Sequence, residues 1–74
     1  MTWNYRVVVT GEDDGEEIAA ICEVYYDADD KILAWSDPVK VETVTEEIEE
    51  TLRYMRYALE KPVIRNIQVG MPRD

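Results

Sequence analysis

The chain has 74 residues, 46% of them hydrophobic, with one cysteine, no histidine and a net charge of −9. That is enough for one small domain, and every apolar face is needed, because a chain of this size buries only about 60% of its unfolded surface. A lone cysteine excludes an internal disulfide, the missing histidine removes the commonest general base and metal ligand, and the apolar fraction argues against disorder.

Residues Trp3 to Thr10 alternate. Trp3, Tyr5, Val7 and Val9 share one face, and Asn4, Arg6, Val8 and Thr10 share the other, which predicts a strand over 3–10 with one well-buried face. Gly11 to Gly15, GEDDG, sets two glycines around three acids and predicts a hairpin turn. Glu16 to Asp27 predicts a second strand, with Ile18, Ala20, Cys22, Val24 and Tyr26 on one face and a more mixed set on the other. Asp27 to Asp30 is the next turn. Lys31 to Asp37 is a third, shorter strand, broken by Asp37-Pro38, with Val39 and Val41 extending its edge.

The segment from about 44 to 61 predicts a helix. Ile48, Leu52, Met55 and Leu59 line one face at steps of four, three and four. Thr43 with Glu46 fits a capping box, and Thr45 is the alternative N-cap. Glu46, Glu47, Glu49 and Glu50 sit at the positive end of the helix dipole, and Arg53, Arg56 and Lys61 lie toward the negative end. Pro62 ends the run. Residues 63–69 carry the alternation of a fourth strand, with a loosely packed tail as the rival reading. The expectation is a single α+β domain over 1–74: a three-stranded antiparallel meander, with or without a fourth C-terminal strand, and one helix packed on one face. The sequence leaves open which face the Ile48–Leu59 stripe covers.

WNYRV at Trp3 to Val7, EVYYD at Glu23 to Asp27 and ALEKPV at Ala58 to Val63 together resemble a family of small, uncharacterised bacterial proteins. The resemblance spans about Trp3 to Val63 and implies no catalytic residue. The chain departs from it at Asp29-Asp30, where an Asp-Gly turn is expected, and adds a tail from Ile64 onward. The order of strands followed by a helix opened by Thr43 to Glu47 also resembles, more weakly, HicB-type antitoxins. That resemblance implies a protein that neutralises a small basic toxin; the usual Pro-Gly segment is missing, and there is no room for a DNA-binding domain.

Chemistry is sparse. Cys22, between Ile21 and Glu23 in a strand, reads as a buried structural thiol rather than a nucleophile. Asp27, Asp29 and Asp30 open like a calcium loop, but Ile32 and Pro38 stand where an EF-hand needs Gly and Glu. No enzyme activity, metal or cofactor is expected. The aromatics Trp3, Tyr5, Tyr25, Tyr26 and Trp35 lie among charges of the wrong sign for nucleic acid. There is no leader pattern at the N-terminus and no apolar run of the ~20 residues a membrane span needs, so the expected place is the cytoplasm.

The charge is unevenly spread. Gly11 to Glu50 holds 15 Asp and Glu against Lys31 and Lys40, a net of −13, whereas Thr51 to Asp74 carries five basic and two acidic residues, a net of +3. Such a field attracts basic protein surfaces; solubility alone is the plainer explanation. The candidate partner-binding surface is therefore Glu12, Asp13, Asp14, Glu16, Glu17, Asp27, Asp29, Asp30, Glu46 and Glu50. A second candidate is the outer helix face, Arg53, Tyr54 and Tyr57, unless the tail folds back over the tyrosines. The functional expectation is a non-enzymatic inhibitor or regulator, monomer or homodimer, that docks on a basic, nucleic-acid-handling partner protein, as an anti-CRISPR-type inhibitor does. The alternative is the HicB-like antitoxin. Self-association through the Ile32–Val41 edge is a further possibility.

Overall fold

The computed structural model describes Met1–Arg73. Its element order is β1 (Thr2–Asp13), β2 (Glu16–Tyr26), β3 (Ile32–Trp35) and α1 (Ile48–Arg56), with 3-10 turns at Thr45–Glu47 and Tyr57–Glu60 on either side of α1. The strands form one antiparallel sheet in the order β1-β2-β3. This is the α+β meander with one helix that the alternating strands and the 3.6-residue period predict.

β1 and β2 make a long hairpin that runs past the core. Asp14 and Gly15, both at positive φ (50° and 80°), form its two-residue turn. That geometry matches the twist of the strands, and the Asp-Gly pair is suited to it. The strands therefore continue to Asp13 and from Glu16, with only Asp14 and Gly15 in the turn. A bulge between Val9 and Gly11 leaves Thr10 unpaired.

Which face is buried is now settled. Val8, Cys22, Val24, Tyr26 and Ile32 form the core with Ile64, and Arg6 is buried beside them. These are the even-numbered positions of β1 and β2. Trp3, Tyr5, Val7 and Val9 share the opposite, more accessible face with Ile21 and Tyr25.

The cover on the core face is the C-terminal segment, not the Ile48–Leu59 stripe. Ile64 enters at the outer edge of β1: its N–H donates to Val7 O (2.9 Å), and Val9 N–H donates to its carbonyl (2.9 Å). The chain then crosses the core face, packing Ile67 and Met71 against it. It arrives at the outer edge of β3, where Gly70 N–H donates to Ile32 O and Ile32 N–H to Met71 O, both 2.7 Å. Residues 62–73 are thus a strap from one edge of the sheet to the other. They are neither a fourth strand nor a loose tail. Ile64 and Pro72 make isolated bridges only, and left-handed turns at Asn66 (φ 54°) and Gly70 (φ 94°) bend the path. The alternation of Val63, Arg65, Ile67 and Val69 misleads because Ile64 faces inward while Val63 and Val69 are exposed. The strap also occupies part of the β3 edge at Ile32, where self-association was a possibility.

The buried Arg6 holds both ends of the strap. Its guanidinium donates to Pro62 O (2.8 Å), Arg73 O (2.9 Å) and the Tyr26 hydroxyl (3.1 Å). The Arg73 guanidinium in turn lies 4.2 Å from the Tyr26 ring centroid and pairs with Asp30.

α1 lies beside β1, and only Met55 of the helix and Ala58 of the following turn are buried. Leu52 and Leu59 are 50% and 70% exposed, so half of the predicted stripe goes unused. The capping box does not form: Val44 is the N-cap residue with no side-chain bond, and Thr43 Oγ1 instead lies 3.4 Å from Glu47 Oε2. The molecule is a slab of 38 × 36 × 20 Å. The helical segment stands beside the Trp3 and Tyr5 end of β1, with a cleft between them.

Candidate functional site

Two surfaces stand out, at opposite ends of the β1–β2 hairpin. The first is the acidic arm at its turn. Every residue from Thr10 to Ala19 is exposed, so the arm projects beyond the core. Its register sets Glu12 opposite Glu17 and Asp13 opposite Glu16. Like charges directly across an antiparallel pair are destabilising, yet four carboxylates and that of Asp14 are gathered here. One cation relieves them. Arg65, the first strap residue after Ile64, grips Glu17 with two nitrogens (2.7 and 3.0 Å). That pairing holds the Glu17 carboxyl below the usual carboxylate range and raises Arg65.

The remaining predicted acids divide sharply. Asp27 is spent on its own turn: its carboxylate accepts from Asp29 N–H (2.9 Å) and Lys31 N–H (3.0 Å). Asp30 sits at φ 57°, a conformation that favours glycine or asparagine, and bonds Arg73 (2.9 Å). Asp29, Glu46 and Glu50 are exposed. Thus Glu12, Asp13, Asp14 and Glu16 are brought together at one tip, Glu17 is there but paired, and Asp27 and Asp30 serve the fold.

The second surface is aromatic. Tyr54 and Tyr57 are 57% and 54% exposed, because the strap runs under the sheet and leaves them uncovered. Their rings lie 6.5 Å apart. Across a cleft of about 520 Å³ they face Trp3 and Tyr5, which pack edge to face at 5.2 Å. Asn4, Thr51 and Lys61 complete the lining. Trp3 continues the patch to Tyr25 (6.4 Å), whose hydroxyl donates to Glu23; that bond raises the Tyr25 phenol above its ordinary value. Arg53 is turned toward Glu49 (3.6 Å) on the helix surface and does not line the cleft. Sequence reasoning identified Tyr54 and Tyr57 but missed Trp3 and Tyr5 as their partners. The signal was available: a Trp-x-Tyr alternation on a strand with only one covering element for two faces.

Little reactive chemistry is placed together. Cys22 is buried, and burial, with the nearby Asp37 carboxylate, pushes its thiol up, which disfavours the thiolate. Among the described residues, no group of three or more His, Cys, Asp or Glu side chains is arranged to hold a metal ion. Among the described residues, no helix is long and apolar enough to cross a membrane. Comparisons of the chain with protein-family models, with curated proteins and with solved structures find no match.

Proposed function

We propose that the protein is a non-enzymatic, acidic binding protein that docks on a basic surface of a nucleic-acid-handling partner and blocks it. The observation that carries this reading is the arm from Thr10 to Ala19, in which Glu12 faces Glu17 and Asp13 faces Glu16. A hairpin does not need this arrangement, and like charges so placed work against it. A rod of exposed carboxylates does resemble a strand of phosphates in charge and reach, and it fits a groove lined by Lys and Arg. An inhibitor of an RNA-guided nuclease, of the anti-CRISPR type, is one concrete form of this reading. Neutralisation of a small basic toxin is the other.

The test is capture of partners from cells that express the protein, at low and high salt, followed by competition with nucleic acid. The expected partner carries a basic groove, is released by salt, and loses nucleic acid when the protein binds. A captured partner that is acidic, or that keeps its nucleic acid, would contradict the proposal. A captured small basic toxin, restrained by co-expression, would select the antitoxin form.

A further inference from the structure

We infer that the Asp14–Gly15 peptide at the tip of the hairpin is a site of spontaneous isomerisation to isoaspartate, and that this modification takes the acidic arm apart. The inference rests on the chemistry of the turn and holds whatever the partner is. The turn supplies both reacting groups, an aspartate carboxyl and the main-chain nitrogen of the residue after it. With the carboxyl protonated, the Gly15 nitrogen attacks Asp14 Cγ. A carbon–nitrogen bond forms, water leaves, and a five-membered succinimide closes. Water then adds to the main-chain carbonyl carbon of Asp14 and breaks its bond to the Gly15 nitrogen. The chain now runs through Cβ and Cγ of residue 14, one methylene longer, and the former main-chain carbonyl is the free carboxylate. One water is lost and one regained, and nothing is oxidised or reduced.

The surroundings select Asp14 over the other aspartates. Its successor has no side chain to crowd the attacking nitrogen, and open space surrounds the Gly15 Cβ position. Ring closure also needs the two residues to leave their left-handed turn (φ 50° and 80°). The arm makes that opening easy. It is exposed from Thr10 to Ala19, and its closing rungs set Glu12 against Glu17 and Asp13 against Glu16. Asp27 and Asp30 lack both conditions. The Asp27 carboxylate accepts from Asp29 N–H and Lys31 N–H, the Asp30 carboxylate is held by Arg73, and Ala28 and Lys31 follow them. Asp13 and Asp29 are each followed by another aspartate, and Asp37 by Pro38, whose nitrogen carries no proton. The tight hairpin is defined by a loop of two residues, so a lengthened residue 14 breaks the Asp13–Glu16 register.

The experiment holds the folded protein in warm buffer for several weeks, digests it, and locates isoaspartate by electron-transfer fragmentation, which cleaves its Cα–Cβ bond. The expected result is a product of unchanged mass with isoaspartate first at residue 14. In its NMR spectrum the cross-strand contacts of Glu12 with Glu17 and of Asp13 with Glu16 are lost, while those of Ile64 with Val7 and Val9 remain. Asp14→Asn should react faster, releasing ammonia in place of water, because its neutral amide is the better electrophile. Asp14→Glu would need a six-membered ring and should lose the product while keeping the parent's circular dichroism spectrum. Isoaspartate arising first at Asp27, Asp29 or Asp30 would overturn the inference. So would isoaspartate that forms at residue 14 only when the protein is unfolded in urea, because the turn would then protect the peptide. Unchanged cross-strand contacts in the isomerised protein would overturn the loss of the arm.

Discussion

Arg65 meets Glu17 with two nitrogens, Nε at 2.7 Å from Oε2 and Nη2 at 3.0 Å from Oε1, and so ties the acidic arm to the start of the strap. The contact joins residues 48 apart in sequence and lies next to Ile64, which bonds to Val7 and Val9. It is the point where the fold's closing segment limits the charge of its most acidic element.

Glu17 should therefore titrate below an ordinary glutamate. The folded carboxyl is held down by Arg65. Its contribution to stability is complete above the ordinary glutamate range and is lost as pH falls through the depressed folded value. Both side chains are about half exposed, so the effect on melting temperature is small. A carbon-detected NMR titration should show Glu17 below the ordinary glutamate range, and Arg65→Gln should return it toward that range. Identical titration in both proteins would contradict the pairing.

Arg6 is the strap's fastener. Arg6→Met removes the donors to Pro62 O, Arg73 O and the Tyr26 hydroxyl in a buried setting. Leaving such acceptors without donors costs about 2–4 kcal/mol in all. That is a large share of the roughly 4–11 kcal/mol available to a chain of this length. Urea denaturation should show the loss, and limited proteolysis should cut first within residues 62–73.

The two candidate covers of the core can be told apart by truncation. Ile64 is buried and belongs to the core cluster, whereas Leu59 is exposed. Ile64→Ala should cost about 2–4 kcal/mol, and Leu59→Ala less than about 0.5 kcal/mol. The reverse order would mean that the helix stripe, not the strap, closes the sheet.

That contrast also marks what the chain makes legible. The three strands, the GEDDG turn and the helix between Val44 and Pro62 follow from period, turn chemistry and proline, all of them local signals. The buried face of β1 does not. Arg6 interrupts the apolar set on that face, and it can be buried only because carbonyls 56 and 67 residues away, at Pro62 and Arg73, are brought to it. The strap is hidden for the same reason. Its bonds are isolated bridges to two different strands, and no period in the sequence records them. Of the site, the density of acids is plain to read, but register alone reveals that Glu12, Asp13, Asp14 and Glu16 form one tip while Asp27 and Asp30 are folded back into the chain.

The hairpin turn depends on one glycine. Gly15 has φ +80° and open space around its Cβ position, so Gly15→Ala meets only backbone strain, about 1 kcal/mol. Gly11 also has open space and no positive φ, and Gly11→Ala should lie within about 0.5 kcal/mol of the parent. Thermal unfolding of the two variants checks the pair. Equal costs would place the turn elsewhere.

The most direct measurement is the affinity of the captured partner for the protein in which Glu12, Asp13, Asp14 and Glu16 are all changed to Lys, read across a salt series. These residues are exposed and lie outside the core, so the variant should keep its fold, checked by circular dichroism. If the arm imitates phosphates, binding falls by more than about tenfold in the variant, and the parent's affinity declines steeply with salt. Unchanged affinity in the folded variant, at every salt concentration, would contradict the proposal that the acidic arm is the surface the partner reads.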